Sequence, residues 1–76
     1  MNTSYFTFGQ DHVHKCGNAT LDKDCIVKIE AEDPREEMFR LFGSKWAMQY
    51  DESQLEDIIK YYPRGVFDLK SSKFIK

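Results

Sequence analysis

The chain lacks the features of a secreted or a membrane-spanning protein. It has two cysteines, Cys16 and Cys25, whereas small secreted scaffolds usually hold several disulfides, so we expect free thiols in a reducing compartment. No apolar run approaches the length of a transmembrane helix, and the first four residues lack the basic and then apolar order of a signal peptide. The sequence therefore predicts a soluble, cytoplasmic protein with no membrane partner.

Glycine is also scarce, and the chain has no excess of positive charge. The four glycines are scattered along the chain, which excludes a glycine-rich phosphate-binding loop. The net charge is −2, so the protein offers no long-range attraction to a phosphate backbone, and we do not expect a nucleic-acid partner. Residues 1–69 hold eight basic and thirteen acidic side chains, whereas residues 70–76 hold three lysines. The sequence thus predicts an acidic body and a basic C-terminal tail.

Apolar and aromatic residues are plentiful enough for a folded domain. Of the 76 residues, 41% are hydrophobic, and six Phe, four Tyr and one Trp supply bulky core side chains. A chain of this length has room for one core only. We therefore expect a single domain over residues 1–69, followed by the tail at residues 70–76.

Alternation of apolar with polar or small residues predicts four β-strands, because side chains on a strand point to its two faces in turn. The predicted strands cover residues 5–9, 25–31, 45–50 and 66–69. The polar stretch at residues 10–24 is either a long loop or a ragged hairpin that extends the first strand. The short last strand is expected at a sheet edge.

Two helices are predicted from their end signals. Asp33 can cap the first helix, Pro34 fits its first position, and Gly43 can supply the left-handed stop. A second capping box at Ser53 and Glu56 starts a short helix that ends before the next proline. The element order is then β-β-α-β-α-β.

This order predicts the α+β class: a single small domain with a mainly antiparallel sheet and both helices on one face. The other face of the sheet would be uncovered and wetter. A ligand or a partner is expected on that open face.

Four residues could form a zinc site. His12, His14 and Cys16 lie at alternate positions, so they share a face if the segment is extended, and Cys25 could complete four ligands on a hairpin. The spacing lacks the usual paired knuckles of structural zinc sites, and two loop histidines beside a plain thiol explain the same residues without a metal. A thiolate–imidazole pair from Cys16 and a histidine is a further alternative, but a core this small rarely builds the cleft that catalysis needs. We favour a non-enzymatic protein without a cofactor.

Seven residues are predicted to contact a partner. Arg64 lies in a Pro-Arg-Gly turn beside two tyrosines, where a guanidinium can bind a carboxylate or a phosphate. Trp46 is either a core residue or a stacking surface. The remaining candidates are polar side chains of the segment between the first two strands. The full set is Gln10, His12, His14, Asp22, Asp24, Trp46 and Arg64.

Three patches of the sequence carry a resemblance. They are aromatic-aromatic-Thr-Phe-Gly-Gln-x-His at residues 5–12, Phe-Gly-x-Lys-Trp at residues 42–46, and Tyr-Pro-Arg-Gly at residues 62–65; an Asp-Lys-Asp segment at residues 22–24 belongs to the same pattern. Together they resemble a group of small uncharacterised proteins encoded by bacteriophages and prophages, over about residues 5–69 of this chain.

The resemblance implies a small phage-type protein in the cytoplasm of an infected bacterium. Proteins of that kind often bind and inhibit a host enzyme or a host defence component. We therefore expect a binding protein that engages a host or phage protein, as a monomer or a homodimer, through the open sheet face and residues 10–24. One alternative is a small-ligand protein in which His12, His14 and Arg64 converge on a nucleotide or another anion. The other alternative is a zinc-binding domain with His12, His14, Cys16 and Cys25 as ligands.

Overall fold

The computed structural model describes residues 2–10, 13–16 and 19–75, with Cys16 described by its backbone alone. The strands are β1 (Asn2–Thr7), β2 (His14–Cys16), β3 (Ala19–Leu21), β4 (Cys25–Ala31), β5 (Met48–Asp51), β6 (Gly65–Asp68) and β7 (Lys73–Phe74). The α-helices are α1 (Pro34–Phe42) and α2 (Leu55–Ile58), and 3-10 turns precede and follow α2 at Glu52–Gln54 and Ile59–Tyr61.

Five of the strands form one mixed sheet in the order β5-β1-β4-β6-β7. All neighbouring pairs in this sheet are antiparallel except β4 with β6. Strands β2 and β3 form a separate antiparallel pair, so residues 10–24 contain a hairpin rather than only a loop. The predicted α+β class and the mainly antiparallel sheet are confirmed.

Helix α1 begins and ends where its end signals predict. Asp33 Oδ1 accepts the N–H of Glu36 at 3.2 Å, and Pro34 occupies the first helical position, where no N–H is needed. Gly43 has a positive φ of 62°, and its N–H donates to the carbonyl oxygen of Phe39 at 2.8 Å. These local contacts explain why a sequence pattern was sufficient for this helix.

Two apolar clusters fill the core. The α1-side cluster consists of Phe6, Phe8, Leu21, Cys25, Val27, Ile29, Met38 and Phe67. The α2-side cluster consists of Tyr5, Ile26, Leu55 and Val66. Each of the three central strands contributes neighbouring residues to the two clusters.

The helices lie on opposite faces of the sheet. Met38 of α1 packs in the cluster that contains Val27, and Leu55 of α2 packs in the cluster that contains Ile26. Val27 and Ile26 are neighbours on β4, so they point to opposite faces. The prediction that both helices cover one face is therefore wrong, and over the described residues each face of the sheet carries one helix. Lys28 and Glu30 predict a solvent-facing second side for β4, but Ile26 lies on that same side and packs in the α2-side cluster.

Several element boundaries also differ from the prediction. β1 starts at the polar Asn2, which pairs with Ala31 of β4. The capping box lies at Asp51, before the 3-10 turn that leads into α2, and not at the predicted Ser53; the N–H of Asp51 donates to Gln54 Oε1 at 2.9 Å. Both positions fit the spacing of a capping box, and pairing of β5 with β1 selects the earlier one.

The basic tail is part of the sheet as far as the structure describes it. Strand β7 pairs with β6, which is therefore not an edge strand as predicted. The ring of Phe74 packs edge-on against Phe67 with centroids 5.2 Å apart, and the N–H of Ile75 donates to the carbonyl oxygen of Val66 at 2.9 Å. The domain thus extends to Ile75 instead of ending before the lysines.

Candidate functional site

Three of the predicted contact residues meet at the turn between β3 and β4. Arg64 Nη1 donates to Asp22 Oδ2 at 3.1 Å, and the backbone N–H of Arg64 donates to the carbonyl oxygen of Asp24 at 3.0 Å. The guanidinium also lies 5.2 Å from the ring centroid of Phe74. Arg64 therefore links this turn to β6 and β7, and its charge is already matched by a carboxylate of the protein.

Asp22 also organises the turn and the neighbouring thiol. Its Oδ1 accepts the N–H of Asp24 at 3.0 Å, and its own N–H donates to Cys25 Sγ at 3.3 Å. Cys25 is fully buried. Burial raises the pKa of the Cys25 thiol, which favours the neutral form. The neutral thiol is a weaker nucleophile than the thiolate.

His14 holds the β2–β3 hairpin against the end of α1. Its Nε2 donates to the carbonyl oxygen of Lys45 at 2.9 Å. The imidazole contacts the rings of Phe8 and Phe42, with centroids 5.1 and 4.8 Å away. One ring nitrogen of His14 is therefore engaged in a tertiary hydrogen bond.

The predicted four-ligand zinc set is only half covered by the described residues. His12 and the side chain of Cys16 lie outside them. Within the described ranges, no group of three or more His, Cys, Asp or Glu side chains is arranged to hold a metal ion. The zinc site stays a prediction.

The predicted contact residues that are described fall into separate groups. Asp22, Asp24 and Arg64 form the turn cluster, whereas His14 bonds to the residue directly before Trp46. Gln10 lies in an exposed turn after β1. The predicted anion site needs His14 and Arg64 to converge, and each of them has a partner of its own.

The half-buried Trp46 forms a cluster with two exposed side chains of α1, Arg35 and Phe39. The Arg35 guanidinium lies 5.2 Å from the ring centroid of Trp46 and 5.5 Å from that of Phe39. The two rings contact each other edge to face, with centroids 5.4 Å apart. Phe39 is 43% exposed. An aromatic surface with a cation over it thus lies along α1 beside Trp46.

The core and the backbone fix the position of Trp46. Its ring packs edge-on against Phe6 of the α1-side cluster, with centroids 5.1 Å apart. Its Nε1 donates to the carbonyl oxygen of Gly43 at 3.1 Å. These two contacts hold one side of the indole, so the Trp46 ring has a defined position beside Phe39 and Arg35.

The cluster of Trp46, Arg35 and Phe39 forms one wall of a groove of about 660 Å³ between α1 and β5. We call it the Trp46 groove. Its wall and floor include Arg35, Phe39, Trp46, Met48, Gln49 and Asp51. The Gln49 amide Nε2 donates to Ser4 Oγ at 3.2 Å, which fixes the floor to β1. The groove therefore combines apolar, aromatic, amide and charged groups.

β5 gives the groove an open backbone edge. It is the outermost strand on its side of the sheet and pairs with β1 alone within the described sheet. Successive residues of such a strand present their N–H and C=O groups alternately to the neighbour and to the open side. The N–H of Asp51 faces the open side and is bound by Gln54, so by this alternation Gln49 is the residue of β5 whose N–H and C=O are available there, next to Trp46.

Sequence reasoning found Trp46 but missed Arg35 and Phe39. One signal was present: Arg35 is a cation in the first turn of α1, where the helix dipole favours acidic side chains such as the following Glu36 and Glu37. Arg35 and Phe39 are also four positions apart and share a helix face. Their meeting with Trp46 depends on the chain reversal after Gly43, which spacing alone does not define.

Comparison of the chain with protein-family models, curated proteins and solved structures gives no significant match. Over the residues described, no helix combines the length and the apolarity needed to cross a membrane. The function is therefore inferred from the geometry of the site.

Proposed function

We propose that the chain is a non-enzymatic module that binds a partner protein by holding an extended segment of it in the Trp46 groove. The observation that carries this proposal is the contact of exposed Arg35 and Phe39 with the half-buried Trp46 beside the edge strand β5. The module acts by occupying the segment of its partner and not by turnover.

The composition of the groove supports a protein partner. Trp, Phe, Met and Arg are enriched at the centres of protein interfaces, because they bury much area with defined geometry. Met48 is 53% exposed and Phe39 is 43% exposed, so both have apolar surface that a partner can cover. The groove is open along its length, which suits a chain segment better than an enclosed small molecule.

The edge of β5 supports an extended conformation for that segment. A strand added to a sheet edge gains main-chain hydrogen bonds, and its alternate side chains enter the neighbouring groove. The open backbone position of β5 is at Gln49, and Trp46 and Phe39 line the adjoining wall. Main-chain pairing and side-chain contact are thus available to one segment at the same time.

The resemblance to phage-encoded proteins adds a proposed setting. The partner would be a host or phage protein of the bacterial cytoplasm, and binding would inhibit it, for instance as a component of host defence. In this proposal the contact surface moves from the predicted sheet face to the Trp46 groove.

Selection from a display library of random linear peptides tests the binding function. Peptides selected by the wild-type chain are synthesised, and their affinities are measured for Phe39→Ala and Leu41→Ala. These two residues are matched, because both are 43% exposed on α1 and only Phe39 lines the groove. We expect Phe39→Ala to weaken binding about tenfold and Leu41→Ala to leave it unchanged.

Two results would overturn the proposal. One is a selection that gives no peptide whose binding depends on Phe39, either because no peptide is enriched or because the enriched peptides bind Phe39→Ala and wild type equally. The other is a dimer in size-exclusion chromatography with light scattering that Phe39→Ala dissociates, because the groove would then be filled by a second copy of the chain. Circular dichroism of each variant establishes that it is folded.

A further inference from the structure

Arg35 is the only cationic side chain among the described residues that line the Trp46 groove. It forms no ion pair with any described residue, and no described group accepts a hydrogen bond from its guanidinium. Its contacts with Phe39 and Trp46 are cation–π contacts, which use none of its N–H donors. A guanidinium held in this way still has a planar fork of donors to offer.

We infer that the segment bound in the groove carries an aspartate or glutamate whose carboxylate binds Arg35. This inference rests on the proposed function, because it names the chemistry of the segment that occupies the same groove. Arginine and a carboxylate form two parallel N–H···O bonds, and the cation–π contacts with Phe39 and Trp46 place the guanidinium at the groove before binding. The acidic side chain would therefore select partners as well as add affinity.

The charges around the groove limit the segment to one acidic position. Asp51 lines the same groove from β5 and is not paired with Arg35. A run of acidic residues would place a second carboxylate near Asp51 and would be repelled by the net charge of −2. We expect an acidic residue at one fixed position relative to the apolar residue that contacts Phe39.

The same peptide selection tests this inference through composition and through matched variants. Peptides selected by wild type should share one Asp or Glu position, and replacing that residue by Asn or Gln should weaken binding about tenfold. The Arg35→Gln variant should bind the acidic peptide more weakly by a similar factor. It should bind the peptide with Asn or Gln at that position as tightly as wild type does. Arg40→Gln is the control, because Arg40 lies on the same helix, pairs with Glu37 and is not part of the groove.

The outcomes separate the two proposals. The role of Arg35 is overturned if peptide binding depends on Phe39 but the peptides share no acidic position, or if they bind the Arg35→Gln variant as tightly as wild type. Either result leaves the proposed binding function standing. If no peptide is enriched, or if Phe39→Ala changes nothing, both proposals fall. Selection of Lys or Arg at the shared position by Arg35→Glu would support the carboxylate assignment.

Discussion

The turn cluster allows a direct test of whether Arg64 is a structural residue or a ligand-binding residue. Arg64 Nη1 lies 3.1 Å from Asp22 Oδ2, and the two side chains are 35% and 27% exposed. At that distance and near a protein surface, the gross Coulomb attraction is several kcal/mol, but desolvation and side-chain ordering offset most of it. We expect a net coupling of about 1 kcal/mol.

A double-mutant cycle measures this coupling. Asp22→Asn keeps the Oδ1 that accepts the N–H of Asp24 and removes the charge, so the turn itself should persist. Arg64→Met keeps an apolar stem over Phe74 and removes the guanidinium. Urea unfolding of the wild type, both single variants and the double variant gives the coupling free energy.

An exposed ion pair elsewhere in the chain provides the control. Glu37 and Arg40 are joined on the surface of α1, where solvent screens their charges, and we expect a smaller coupling there. A coupling at Arg64 and Asp22 no larger than in this control pair would refute the structural role. Arg64 would then again be a candidate for contact with a partner.

The other predictions concern the core and its thiol. Ile26 and Ile29 lie in clusters on opposite faces of the sheet. Ile26→Val and Ile29→Val should therefore each lower the free energy of unfolding by about 1 kcal/mol, and in the double variant the two losses should add. A clear departure from additivity in urea unfolding would argue against two separate clusters. Cys25, in a Cys16→Ser background, should resist thiol reagents until the protein unfolds, and rapid labelling of the folded protein would contradict its burial. Because burial raises the pKa of the Cys25 thiol, the folded state keeps a proton that the unfolded state loses, so stability should fall as pH rises above the ordinary thiol pKa of 9.0. Cys25→Ala should reduce that slope, and an unchanged slope would refute this assignment.

Local signals were sufficient where neighbouring residues alone decide the conformation. Asp33, Pro34 and Gly43 define α1 through contacts within a few residues of the chain. The alternation over Cys25–Ala31 predicts β4 with its observed bounds, because the strand is long and strongly apolar. The order of the six predicted elements is likewise present in the structure, which adds β2, β3 and β7.

Patterns failed where two local choices were equally good. Two residue pairs have the spacing of a capping box: Asp51 with Gln54, and Ser53 with Glu56. The pairing of β5 with β1 decided between them. The tail residues 73–74 carry little strand signal, and they form β7 because the edge of β6 is available to them. In each case the deciding partner is distant in the chain.

The candidate site shows the same division. The sequence by itself determined the class of the fold, the start and end of α1 and the central strand β4. Only the tertiary structure decided that the helices cover opposite faces, because Ile26 and Val27 can each face a core and composition does not say which helix covers which. It also brought Arg35 and Phe39 to Trp46, since contacts across a chain reversal depend on packing and not on spacing.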